Sequence, residues 1–124
     1  MNVRIPFDSV AVIGSGDAPS DRFAEELAVR MAPARGVRVV PPQRIRAYDR
    51  RTLSAEEIGR GVHARCVAVC RVAATETALD VGIEVIDVLA ERVVAEATFL
   101  VVLAELVALQ KTVARWLARF LTGG

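Results

Sequence analysis

Apolar and polar residues recur along this chain with two different periods, and the switches between them predict its elements. Ser9–Ile13 is a β-branched run closed by Gly14-Ser15-Gly16, which predicts a buried strand and a turn. Pro19-Ser20-Asp21 then supplies helix-start chemistry, with Ser20 or Asp21 as the expected cap. Phe23, Leu27 and Met31 fall four apart on one helical face, and Pro33 and Gly36 end that helix. Val37–Val40 predicts a second short strand, stopped by Pro41-Pro42, and Gln43–Arg51 reads as an arginine-rich connector with one helical turn.

Ser54 and Glu57 have the offset of a capping box, opening a short helix with sparse apolar positions at Ile58 and Val62. Cys66–Ala73 predicts a third strand. Leu79, Val81, Ile83 and Val85 alternate with Asp80, Gly82 and Glu84, the mark of a half-buried strand. Val93–Leu100 returns after a reversal at Asp87–Glu91, so residues 79–100 should form an antiparallel hairpin. From Leu103 to Leu121 the apolar residues keep three-four spacing, an amphipathic helix of about five turns. The order is β-α-β-α-β-β-β-α. It predicts the α/β class, with a single-layer mixed β-sheet and packed helices, parallel in its first β-α-β unit and an antiparallel meander later.

The chain has 124 residues, 53% of them hydrophobic and 25% charged, enough apolar matter for one core and too short for two. The expected organisation is one α/β domain over 1–124: a leading segment (1–8), a core (9–121) and a flexible tail (122–124). No charge-free stretch exceeds eight residues, so no transmembrane helix is expected. The amino terminus carries no signal-peptide pattern, and the expected location is cytoplasmic, with the periplasm as the alternative for a chain trimmed of its leader.

The formal net charge is +1, which supplies no global field for nucleic acid or an anionic membrane, and neither is expected as a partner. The charge is blocked all the same: residues 30–51 hold seven arginines against Asp49 alone. Such blocks are expected to be solvated faces that balance one another in space. Lys111, Arg115 and Arg119, spaced four apart, form a basic stripe outside the apolar arc of the last helix.

Candidate chemistry is sparse. Cys66 and Cys70 are the only thiols, and within one strand they stand about 13 Å apart, too far for a disulfide. With His63 as the only histidine, a metal site lacks ligands, and no metal or cofactor is expected. No catalytic set is predicted either. The Gly14-Ser15-Gly16 turn occupies the place between strand and helix where backbone amides hold phosphates, but it lacks the third glycine of the dinucleotide fingerprint and a P-loop lysine. A plain turn is the favoured reading. A small-ligand or nucleotide sensor using Gly14, Ser15, Gly16 and Ser20 is the alternative.

Several segments fall in a recognisable order: VAVI (10–13), RFAEELAVRMAPARGVRVVPPQRIRAY (22–48), GVHARCVAVCRVA (61–73), VGIEVID (81–87), AERVVAEATF (90–99) and LAELVALQKTVARWL (103–117). Together they resemble the TolB amino-terminal-like domain, a family that includes the first domain of periplasmic TolB and modules attached to bacterial cyclases and repeat regulators. The family's tight Thr-Gly hairpin is replaced here by Val88-Leu89-Ala90. The resemblance implies a non-catalytic interaction or regulatory module and transfers no catalytic residue. The apolar arc of the last helix spans about 180°, more than docking on one surface requires. Leu109, Trp116 and Phe120, flanked by Lys111 and Arg115, are therefore expected to contact a protein partner or a second copy.

Overall fold

The computed structural model describes residues 7–102 and 106–123. One five-stranded sheet organises them, formed by β1 (Ser9–Gly14), β2 (Arg38–Val39), β3 (Cys66–Ala74), β4 (Ala78–Asp87) and β5 (Arg92–Val102) in the spatial order β2-β1-β3-β4-β5. The helices are α1 (Ala18–Met31), the single turn α2 (Pro42–Ile45), α3 (Ala55–Gly61) and α4 (Leu106–Thr122). The sheet is mixed as expected: β1 lies parallel to β2 and β3, while β3–β4 and β4–β5 are antiparallel.

Alternation along each strand sorts the core into two layers. Val10, Val12, Cys66, Ala68, Cys70, Val81, Ile83 and Val85 face α1 and α4. Ala11, Ile13, Val67, Val69 and Ile86 face α3 and the arginine-rich connector. The strands that pack helices on both faces, β1 and the first half of β3, are buried throughout, which is why their sequences are continuously apolar.

Two local expectations shift. The cap of α1 is Asp17, upstream of Ser20 and Asp21, because its carboxylate reaches the Ser20 amide and leaves Pro19 inside the first turn, where a missing N–H is harmless. The second strand shrinks to two paired residues, although Val37 and Val40 are buried beside it. The capping box forms as read: the Ser54 hydroxyl accepts from the Glu57 amide, and the Glu57 carboxylate accepts from the Ser54 amide. The 79–100 hairpin also forms. Its reversal is built by the Asp87 carboxylate, which accepts from the Leu89 and Ala90 amides, with Glu91 at φ 54°. The expected start of the last helix, 103–105, lies outside the described residues.

Candidate functional site

The carboxyl end of β1 is flanked by two parallel neighbours. There β2 lies on one side and β3 on the other, the switch point at which open α/β sheets form crevices. A cleft of about 460 Å³ opens at this end, lined by Gly14, Gly16, Asp21, Arg46, Tyr48 and Arg50 among others. Gly14 is required there, since a Cβ would stand 2.5 Å from the Asp21 backbone nitrogen. Gly16 turns the chain at φ 111°.

The chain's own carboxylates fill the turn. The Gly16 amide donates to Asp21 Oδ1 at 3.2 Å, and the Ser20 amide donates to Asp17 Oδ2 at 3.1 Å. The Ser15 and Ser20 hydroxyls also donate to Asp17, holding its carboxyl down at about 2. Ser20 is buried, and its hydroxyl accepts from the Val72 amide at 2.9 Å, tying α1 to β3. Of the four expected ligand residues, Gly14, Ser15, Gly16 and Ser20 do cluster, but the Gly16 and Ser20 amides are already engaged. What the sequence reading missed is Arg50: its Nε donates to the Gly14 carbonyl at 3.0 Å, and burial lowers its pKa against the pull of Asp21 and Glu56. Arg46 is clamped by both Glu25 oxygens at 2.8 and 2.9 Å, so part of the arginine block is balanced in space.

The thiols are core groups. Cys66 and Cys70 are fully buried, and burial pushes each thiol up to about 12, so neither is a nucleophile near neutral pH. Cys66 Sγ donates to the Ser9 carbonyl. His63 is exposed at φ 58°, and its carbonyl accepts from Arg38. Among the described residues, no group of three His, Cys, Asp or Glu side chains converges on a metal position. Nor, among them, is any helix long and apolar enough to cross a membrane.

On α4 the structure divides the expected contact residues. Leu109 is 3% exposed and belongs to the core, which corrects its expected role at a surface. The wide apolar arc is explained by α4 lying in the corner between the sheet and α1. Gln110 is buried there, accepting from Arg30 Nε at 3.1 Å and donating to Glu26. Trp116 and Phe120 are half-buried over the same core. They stack on each other with centroids 6.3 Å apart; Trp116 meets Phe99 edge-on at 6.1 Å, and Phe120 stacks on Phe7 at 6.0 Å. Lys111 and Arg115 are exposed.

A second surface was not singled out from sequence. The connector and α3 cover the lower layer over β1, β3 and the Ile86–Val88 end of β4, and among the described residues no helix lies over that face of the rest of β4 and β5. Cross-strand register puts Asp80 beside Leu100, Gly82 beside Thr98 and Glu84 beside Glu96 on this open face, with Val102 and Val93 at its ends. Leu100 is 74% exposed, and Val102 and Val93 are about half exposed. A Cβ on Gly82 would meet nothing within 4 Å. The signal was present in the sequence, as polar residues alternating in Leu79–Val85 opposite an apolar β5, but it marks a solvent face without marking the apolar residues on it.

No protein-family model and no curated protein matches the chain. Solved structures do. TolB from Acinetobacter baumannii superposes with a TM-score of 0.67 at 11% identity, covering 95% of this chain and 29% of its own. The PelC dodecamer from Paraburkholderia phytofirmans gives 0.59 at 23% identity, covering 94% and 89%. The lipoprotein GNA1162 from Neisseria meningitidis gives 0.60 at 14% identity, covering 94% and 100%. The expected cytoplasmic location is corrected by these matches, since the neighbours are a lipoprotein and TolB, the periplasmic member of the resemblance, and they point away from the cytoplasm. At these identities the likeness is one of architecture, and what it establishes for this chain is a TolB-like fold.

Proposed function

We propose that this chain is a non-catalytic module for contacts between protein chains, and that it associates with further copies of itself through the open side of β4 and β5. One observation carries the reading: β5 is an eleven-residue strand at the sheet edge whose uncovered face presents Val93, Leu100 and Val102 to solvent. A long edge strand with exposed apolar residues is a template for another chain, and soluble proteins ordinarily protect such edges. The buried, unreactive thiols and the self-satisfied turn after β1 give chemistry no comparable foothold. Supporting a second copy as the partner, PelC, which shares the fold, is described as a dodecamer. A net charge of +1 also sets little repulsion between copies.

Sedimentation velocity over a broad concentration range tests this. The wild type should shift to larger species as concentration rises, and Leu100→Lys should hold it monomeric with an unchanged circular dichroism spectrum. A wild type that stays monomeric at the highest soluble concentration defeats the reading.

A further inference from the structure

We infer that the copies join head to tail: the basic stripe on the outer side of α4 in one copy seats on the acidic open face of β4–β5 in the next. The inference rests on the self-association proposed above and names the two surfaces that meet.

The open face has an unbalanced negative charge. Glu84 and Glu96 stand directly opposite each other on neighbouring strands, an arrangement that is unfavourable on its own. Arg71 neutralises Glu84 at 2.9 Å. Glu96 and Asp80 are exposed and have no ion-pair partner among the described residues. Two such faces brought together about a two-fold axis set like charges against each other, so a symmetric face-to-face dimer is disfavoured.

The complementary surface is on the same molecule. Lys111, Arg115 and Arg119 are all exposed and likewise have no ion-pair partner among the described residues. At 100° per residue, Arg115 points about 160° away from Val113 and Leu117, which are fully buried against the sheet. The stripe therefore faces away from its own sheet, and the acidic face lies on the opposite side of that sheet.

The dimensions agree. Lys111 and Arg119 are eight residues apart, about 12 Å along the helix. Glu96 and Asp80 are separated by four residues along β5 and one strand spacing, about 14 Å. With charged ends paired, the aliphatic stems of Lys111 and Arg115 cover Leu100 and Val102, as amphipathic side chains do on apolar surface. Because the two surfaces differ, the contact is heterologous and continues into a ring or an open filament.

Reciprocal charge reversal is the test, with folding checked by circular dichroism. One variant carries Lys111→Glu and Arg119→Glu; the other carries Asp80→Lys and Glu96→Lys. Each should associate at least about tenfold more weakly than the wild type, and an equimolar mixture should recover the lost mass, because each reversed surface finds its complement. Wild-type association should also weaken as salt rises from 50 to 500 mM, the Debye length falling about threefold, from roughly 14 to roughly 4 Å. Variants that assemble like the wild type, or a mixture that stays monomeric, overturn the head-to-tail pairing. If assembly survives both reversals but is lost in Leu100→Lys, the β4–β5 contact stands and this pairing fails; a monomeric wild type defeats both.

Discussion

Trp116→Ala separates a core cap from a partner anchor. The indole lies between Phe99 on β5, edge-on at 6.1 Å, and Phe120, stacked at 6.3 Å, and Phe120 in turn stacks on Phe7 before β1. The aromatic row thus ties the edge strand to α4 and to the chain entering the sheet. Burying about half of an indole removes roughly 100 Å² of apolar surface, worth about 2.5 kcal/mol. Two ring pairs add about 0.5–1.5 kcal/mol each, and partial collapse of the site gives some of the total back, leaving a loss of about 3 kcal/mol. With a urea slope of about 1.5 kcal/mol/M, the unfolding midpoint should fall by about 2 M. Far-ultraviolet circular dichroism is the readout, because the substitution deletes the only tryptophan. Trp116→Phe, which keeps a ring between its neighbours, should lose much less. Sedimentation at matched loading should leave the mass distribution of Trp116→Ala unchanged wherever the variant is folded. An unmoved midpoint together with a loss of assembly would refute the core assignment and restore Trp116 as an interface anchor.

Other outcomes follow from the same geometry. Gly14→Ala places a Cβ against the Asp21 backbone, which no side-chain rotation relieves, and should destabilise the fold by about 2 kcal/mol or more in the same urea titration. The Asp17 carboxyl titrates near 2 when folded against an ordinary 3.8, so its stabilisation is complete above about pH 4 and is lost as pH falls toward 2. Unfolding midpoints measured between pH 5 and 2 should therefore fall less steeply in Asp17→Asn, which begins less stable. Cys66 and Cys70 should resist iodoacetamide at pH 8 in the native protein and react together once urea unfolds it, as read by mass spectrometry.

Local chemistry made much of the fold legible. Ser54 and Glu57 sit on adjacent turns and satisfy each other's orphan amides without help from the rest of the chain. Leu79–Val85 reads as a strand because its alternation is a property of the backbone's two-residue period, and the hairpin followed from the polar reversal at its end. The apolar run of β1 reads as a buried strand and Cys66–Ala73 as a third strand, and the structure adds that β1 and the first half of β3 are covered on both faces. The candidate site was less legible. Asp17, Ser20 and Asp21 all carry side chains suited to a cap, and only the path of the chain decides which carboxylate reaches which amide.

Periodicity gives a residue's angle around its own axis and nothing about what lies across from it. The sequence by itself therefore determined which side of α4 is apolar, where the strands run and that Lys111, Arg115 and Arg119 share a stripe. Tertiary structure decided that Leu109 is core, because α1 fills the corner beside the sheet and accounts for the excess width of the arc. It also decided that Arg50 folds back onto Gly14, thirty-six residues away in the chain. The same holds for the open face of β4–β5, whose Leu100 is exposed because α3 is only seven residues long and covers the other half of the sheet. Burial belongs to the whole packing arrangement, since a side chain leaves water only when another element arrives to cover it.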